Sequence, residues 1–260
     1  MKVQSYDQHM AREISPPDMV FFAKKKANRK VIVADDAPEA RLIASRSLEF
    51  DGYRCLPAEN GHQVLRLAKM HRPQLVILDL MLPSLDGFQV LLRLQDLAHK
   101  PKVCVVTSFD DPQYIRRAFE FGADDFLVKP IVPDVLSYKA GTILGEVSRD
   151  AFFGLNADLD VRVEGKFGEY ASQLVRLSEM GASLVADRFH ESVDDLILVK
   201  SPELQRLLDV KGPLFAKVIA VQQNPNRLDV EFVALPEHVL GALRSVVMRG
   251  QYLSTASLQN

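Results

Sequence analysis

Leu75-Val76-Ile77-Leu78-Asp79 is a run of four apolar residues that stops on a carboxylate. A strand with one wet face alternates polar and apolar. A run this short and this uniformly apolar reads instead as a strand buried on both faces, the pattern of a parallel sheet. Three further runs share the form. Val31-Ile32-Val33-Ala34 ends on Asp35-Asp36, Val103-Cys104-Val105-Val106 ends on Thr107, and Phe126-Leu127-Val128 ends on Lys129. In a doubly wound sheet, ligands bind outside the carboxyl ends of the strands. Three carboxylates, a hydroxyl and an ammonium therefore converge on one pocket. That donor set suits a hard divalent cation and a phosphoryl group. Mg²⁺ relieves repulsion among the carboxylates, and a carboxylate can attack phosphorus. The expected roles are Asp79 as nucleophile, Asp36 on the metal with Asp35 behind it, and Lys129 and Thr107 on phosphoryl oxygens. Singly, each ending has a plainer reading: an acidic pair as a helix N-cap, Thr107 as a strand terminus, Lys129-Pro130 as a surface loop.

Between these runs the pattern alternates strand and helix, with helices expected near 38–50, 61–71, 87–98, 112–121 and 134–149. Pro38 suits a first helical turn, and Asn60-Gly61 and Asp86-Gly87 punctuate turns. This constellation resembles the receiver domain of two-component response regulators over about residues 30–150. Leu80-Met81-Leu82-Pro83 and Ser84-Leu85-Asp86-Gly87 resemble the loop that follows the family's phosphoacceptor. Gly122-Ala123-Asp124-Asp125 and Phe126 to Pro130 resemble the end of its fourth helix and its fifth strand. The resemblance implies a flavodoxin-like α/β fold, a doubly wound five-stranded parallel sheet. It implies phosphorylation of Asp79 by a sensor histidine kinase or phosphotransfer protein. It implies Mg²⁺ on Asp35, Asp36, Asp79 and the backbone carbonyl of Met81, and phosphoryl-sensing roles for Thr107, Phe126 and Lys129. A cis bond before Pro130 and a bacterial, cytoplasmic setting follow from the same resemblance.

The texture changes after Asp150. Asp160–Glu164, Ala171–Leu177, Ala182–Val185, Leu196–Val199, Leu214–Val221 and Leu228–Val233 are short alternating segments, read as an antiparallel sandwich or barrel. Pro202 to Asp209 suits a short helix. Pro236 to Arg249 suits a closing amphipathic helix with Val239, Leu240, Leu243 and Val247 on one stripe. Over about residues 155–250 the pattern resembles a PilZ domain, a β-barrel family that often binds cyclic di-GMP. Its best segment is Val175-Arg176-Leu177-Ser178-Glu179-Met180-Gly181. The chain departs from that family at the ligand. Arg176 stands where Asp or Asn is expected, and Arg149 and Arg162 are too far apart to be the family's paired arginines. Arginine is the natural bidentate grip on phosphate, so these departures argue against cyclic di-GMP and for a protein target. Arg176, Ser178 and Gly181 remain as a degenerate ligand turn. The expected domains are an arm at 1–29, a receiver at 30–150 and a PilZ-like barrel at 151–260.

The hydrophobic fraction of 47% supports real cores. No apolar stretch approaches the roughly 20 residues that span a bilayer. Cys55 and Cys104 fall in expected strands and read as small buried residues. Residues 1–30 carry seven basic and three acidic side chains, residues 31–150 carry 14 and 17, and residues 151–260 carry 11 and 14. The basic run from Lys24 to Lys30 is either an anionic docking strip or a solvated lead-in to the first strand. The acidic, β-rich second half disfavours a DNA-binding output. It carries no glycine-rich phosphate loop or nucleophile elbow, so no enzymatic output is expected. Asp187, Glu191, Asp194 and Asp195 are either a metal set or a charged loop. Arg116, Arg117, Asp124 and Asp125 either pair across a receiver homodimer or form a solvated helix end.

Overall fold

The computed structural model describes residues 29–147, 154–223, 226–250 and 253–254. Strands β1 (Lys30–Ala34), β2 (Arg54–Ala58), β3 (Leu75–Leu78), β4 (Lys102–Thr107) and β5 (Asp125–Val128) form a parallel sheet in the order β2-β1-β3-β4-β5. Val31, Ile32, Leu75, Val76, Val103 and Val105 have no solvent exposure, because helices cover both faces. These are α1 (Pro38–Phe50), α2 (Gly61–His71), α3 (Gly87–Gln95), α4 (Pro112–Glu120) and α5 (Pro133–Ile143). Proline opens α1, α4 and α5, while the side chains of Asn60, Asp86 and Asp111 cap α2, α3 and α4. Helix α5 stops well short of the expected 149. Gly145 takes a φ of 68° just beyond it, a left-handed conformation that ends a helix. The order in which successive strands are added reverses between β1 and β3. There Ala34 pairs with Leu78, so the next residues, Asp35 and Asp79, emerge side by side.

The second half is a closed antiparallel barrel. Its strands are β6 (Leu155–Gly165), β7 (Gly168–Leu177), β8 (Gly181–Val185), β9 (Leu196–Lys200), β10 (Leu214–Gln223) and β11 (Asn226–Phe232). Their order is β6-β7-β8-β11-β10-β9, and β9 pairs back onto β6 through Val163 and Val199. Along β6 Leu155, Ala157, Leu159, Val161 and Val163 are buried while the residues between are exposed. The alternation thus starts five residues before the expected strand. Helix α6 (Pro202–Leu208) links β9 to β10. Helix α7 (Glu237–Arg249) buries Val239, Leu240, Leu243 and Val246 against the barrel. A two-residue strand, β12 (Leu253–Ser254), pairs parallel with β6 and had no signal in the sequence. The barrel packs on the β5 side of the parallel sheet, and one buried cluster includes Val135, Leu136 and Ala140 of α5 with Leu235, Val239 and Leu240.

Candidate functional site

The carboxyl ends of β1, β3, β4 and β5 converge as expected. Asp35, Asp36 and Asp79 each offer a carboxylate oxygen within 4.8 Å of the others. Asp35 and Asp79 are buried and Asp36 is exposed. Lys129 Nζ lies 2.5 Å from Asp79 Oδ2 and 2.7 Å from Asp35 Oδ2. The ammonium therefore bridges the two buried carboxylates, and Asp35 is a direct member of the site, not a group standing behind Asp36. Burial alone would lower the Lys129 pKa, but hydrogen bonds to Asp35 and Asp79 outweigh it and raise it.

Local backbone bonds hold these carboxylates. Asp35 Oδ1 accepts from Ala37 N at 3.0 Å and Asp79 Oδ1 from Met81 N at 2.9 Å. Arg41 Nη1 donates to the Asp35 carbonyl at 2.6 Å, and Arg41 Nη2 pairs with Glu59 at 3.1 Å. The backbone N–H of Lys129 donates to the Thr107 carbonyl at 2.8 Å, tying two strand ends. The Lys129–Pro130 bond is cis. Thr107 is fully buried, and its Oγ1 has no hydrogen-bond partner. An unpaired buried hydroxyl costs free energy, so it stands ready for an acceptor. Phe126 has no exposure and lies in a core that also includes Phe215, Val233 and Ala234 of the barrel side.

Two contributors escaped the sequence reading. A Cβ on Gly87 would sit 2.5 Å from the Asp79 carbonyl oxygen, so only glycine lets α3 start against the loop that follows Asp79. The glycine itself was read as a turn and as part of the loop after Asp79, but not as a point of close backbone approach. Arg41, one turn into α1, had no distinguishing signal.

Residues 31–140 match the family model described as response regulator receiver domain. That segment is similar to a receiver domain. Among curated relatives, the probable transcriptional regulator ycf27 of Porphyridium aerugineum is 34% identical over 120 residues, 46% of this chain and 50% of its own length. The alkaline phosphatase synthesis transcriptional regulatory protein PhoP of Bacillus subtilis is 32% identical over 117 residues, covering 45% and 49%. The chain spans about half the length of the curated relatives it matches. Among solved structures, the chemotaxis response regulator CheY4 of Vibrio cholerae aligns with 25% identity over 45% of this chain and 98% of its own, at a TM-score of 0.43. The BeF3-activated DrrB receiver domain aligns with 26% identity over 45% and 97%, at a TM-score of 0.42.

Beyond residues 31–140, the expected ligand turn is closed on itself. Ser178 Oγ donates to the Gly181 carbonyl and accepts from Gly181 N, both at 3.0 Å. A Cβ on Gly181 would collide with the Val230 carbonyl oxygen. Both residues thus have a structural reason to be there. Arg176, Ser178 and Gly181 all line one cavity of about 150 Å³, together with Ser183, Arg227 and Asp229. Arg162 is engaged with Glu169 at 2.5 Å, and Arg149 lies outside the described residues.

The imagined metal set in the barrel does not form. Glu191 is buried and accepts from the Tyr170 hydroxyl at 2.8 Å, while Asp195 accepts from Ser192 N at 2.8 Å. Among the described residues, Asp35, Asp36 and Asp79 are the one group with metal-binding proximity. Arg116, Arg117, Asp124 and Asp125, read as either cross-dimer pairs or a solvated helix end, have partners within the chain. Asp125 is 1% exposed and pairs with Lys139, Asp124 pairs with Lys102, Arg116 with Glu164, and Arg117 stacks 4.4 Å from the Phe88 ring centre. Arg29 and Lys30, at the end of the basic run, bond to Leu144 and His71 carbonyls. The rest of that run and of the arm lies outside the described residues. Burial raises the Cys55 thiol to about 12, with Glu49 adding to it, so Cys55 is no thiolate at neutral pH. No helix among the described residues is long and apolar enough to cross a membrane.

Proposed function

We propose that this protein is a response regulator whose Asp79 accepts a phosphoryl group from a histidine kinase or a phosphotransfer protein. The observation that carries this reading is the Asp35–Asp36–Asp79 group bridged by Lys129 at the ends of neighbouring parallel strands. An Asp79 carboxylate oxygen forms the new bond to phosphorus, and the donor's nitrogen leaves with the electron pair. Asp35, Asp36, Asp79 and the Met81 carbonyl would hold Mg²⁺, which supplies charge neutralisation at the phosphoryl oxygens. The donor set fits, being all oxygen, with Asp36 exposed to an entering ion. Lys129 would shift from Asp79 Oδ2 to a phosphoryl oxygen, and the unpaired Thr107 hydroxyl would donate to another. Phosphorylation replaces the Asp79 carboxylate, of charge −1, by an acyl phosphate of roughly −1.5 to −2, so the net gain beside the partly desolvated Lys129 ammonium is about one negative charge or less. Incubation of the full chain with acetyl phosphate and Mg²⁺ should add one phosphoryl mass, mapped to Asp79. Absence of that mass, or its retention in Asp79→Asn, overturns the assignment.

The barrel, read as PilZ-like, would act on a protein target in the cytoplasm. A cyclic di-GMP effector is the second reading, favoured by the cavity beside Arg176 and Arg227. At about 150 Å³ that cavity is well below the roughly 300–1,000 Å³ typical of small-molecule sites, and a dinucleotide exceeds it. Calorimetric titration of cyclic di-GMP into the full chain separates the two. Micromolar binding would establish the effector; absence of heat would leave the protein target.

A further inference from the structure

The barrel meets β5 and α5 along a buried seam, where Lys139 of α5 pairs with Asp125 of β5 at 3.1 Å and with Glu231 of β11 at 2.7 Å. A second buried lysine stands next to that seam and lacks such partners. Lys217 of β10 is 4% exposed. Its Nζ donates to the Asp124 carbonyl at 2.7 Å, its one hydrogen bond among the described residues. An ammonium carries three donors, so two are left over. The carboxylates around it are engaged elsewhere. Glu231 lies opposite Lys217 in the β10–β11 register but pairs with Lys139. Asp124 Oδ1 pairs with Lys102 at 2.7 Å, and Oδ2 accepts from Val103 N at 2.8 Å. A buried ammonium without a counterion is costly, and a ligand that supplies one binds with that cost removed.

There is room for such a ligand. Lys217 lines a cavity of about 330 Å³ with Lys102, Asp124, Phe119, Ile143 and Asp194. That volume is at the low end of the roughly 300–1,000 Å³ typical of small-molecule sites. The cavity lies by the start of β4, at the opposite end of the sheet from Asp79, and shares no residue with the carboxylate pocket. Asp194, in the loop before β9, is exposed and has a φ of 74°. Its backbone N–H donates to the Val218 carbonyl at 2.8 Å, while its carboxylate has no partner among the described residues. The lining therefore holds one unpaired charge of each sign, a buried ammonium and a solvent-facing carboxylate. Phe119 and Ile143 give it apolar walls.

We propose that this cavity binds a free α-amino acid with an aliphatic side chain. The amino acid's carboxylate accepts from Lys217, its ammonium donates to Asp194, and its side chain packs on Phe119 and Ile143. Both polar contacts are charge-assisted hydrogen bonds. A simple anion would answer Lys217 but face the Asp194 carboxylate, and a simple cation would leave Lys217 without a counterion. A zwitterion satisfies both.

Calorimetric titration of L-leucine into the full chain tests the site. Leucine should bind once per chain with millimolar or tighter affinity and should raise the melting temperature. Isocaproate, the same skeleton without the ammonium, and isoamylamine, without the carboxylate, should each bind at least about tenfold more weakly, because each leaves one charge of the cavity unpaired. Asp194→Asn keeps a residue that tolerates positive φ. It should weaken leucine about tenfold and leave isocaproate no weaker than in the wild type. Lys217→Met should abolish leucine binding. Should Lys217→Met fail to fold by circular dichroism, Asp194→Asn decides alone. Absence of both heat and a melting shift with leucine overturns the proposal. Equal affinity for leucine and isocaproate shows an anion site only and overturns it too, as does wild-type leucine affinity in Asp194→Asn or in folded Lys217→Met.

Discussion

Lys129 and Lys139 each sit between two carboxylates, as the more exposed Lys200 also does, but their surroundings set them apart. Lys129 bridges Asp35 and Asp79 at 2.7 and 2.5 Å, with 18% of its side chain exposed. Lys139 bridges Asp125 and Glu231 at 3.1 and 2.7 Å, with 1% exposed. The pairing chemistry is the same. What differs is the surroundings. The Lys129 cluster has a third carboxylate facing solvent and an unpaired hydroxyl close by, so its charge is open to a cation and an anion from outside. The Lys139 cluster is enclosed by β5, α5 and β11, so its charges answer only one another. A perturbed lysine is a candidate for function when something can still reach it, and a joint when nothing can.

The comparison is broken most sharply at Asp79. Asp79→Asn should abolish labelling by acetyl phosphate while leaving the Lys139 cluster and the barrel intact by circular dichroism. Next comes Lys139→Met, which leaves two buried carboxylates without their cation and should cost about 3–5 kcal/mol in urea unfolding. Adding Asp125→Asn and Glu231→Gln to it should recover the greater part, since whole buried charge sets can be replaced far more cheaply than halved. A recovery of nothing would mean that Lys139 acts by packing alone.

Lys129→Ala should act in the opposite sense on its own cluster. Removing the competing ammonium should tighten Mg²⁺ binding about tenfold by calorimetry, the worth of one charge-assisted hydrogen bond; unchanged or weaker binding would show that Lys129 does not oppose the metal. Because the folded Lys129 pKa is raised, its contribution is fully present below the unfolded value near 10.4 and is lost as pH climbs through the folded one. The gap in urea midpoint between wild type and Lys129→Ala should therefore stay constant from pH 7 to 9 and narrow only at higher pH. The smallest effect is expected at the barrel turn. Ser178→Ala removes two hydrogen bonds within one turn and should cost about 1 kcal/mol, with no effect on Asp79 labelling.

Much of this was legible in the residues. The apolar runs ending at Ala34, Leu78, Val106 and Val128 gave four strands of the parallel sheet and the convergence of Asp35, Asp36, Asp79, Thr107 and Lys129, because burial on both faces leaves a local mark. In the barrel the alternation over Asp160–Glu164 marked only the second half of β6, whose burial on one face runs from Leu155 to Val163. The seam was not legible. Lys139 is one polar residue in a helix of low amphipathic contrast, and Asp125 lies beside Asp124 in what reads as a charged turn. Their partner Glu231 is more than ninety positions away from either, and pairing at that distance leaves no periodicity. Helix α5 ended early because Gly145 takes a left-handed conformation, a choice that glycine permits and does not announce.

The seam also sets terms for anyone dissecting this protein. A fragment ending near residue 147 would lay bare the ammonium of Lys139 and the carboxylate of Asp125 on what is interior in the whole chain, along with the apolar surface around Phe126. Its solubility, self-association and apparent kinase preference would then be properties of the cut. The natural unit for measuring signal transfer is the intact polypeptide, and any surface charge map drawn from the isolated half would carry features that its partner in the cell never meets.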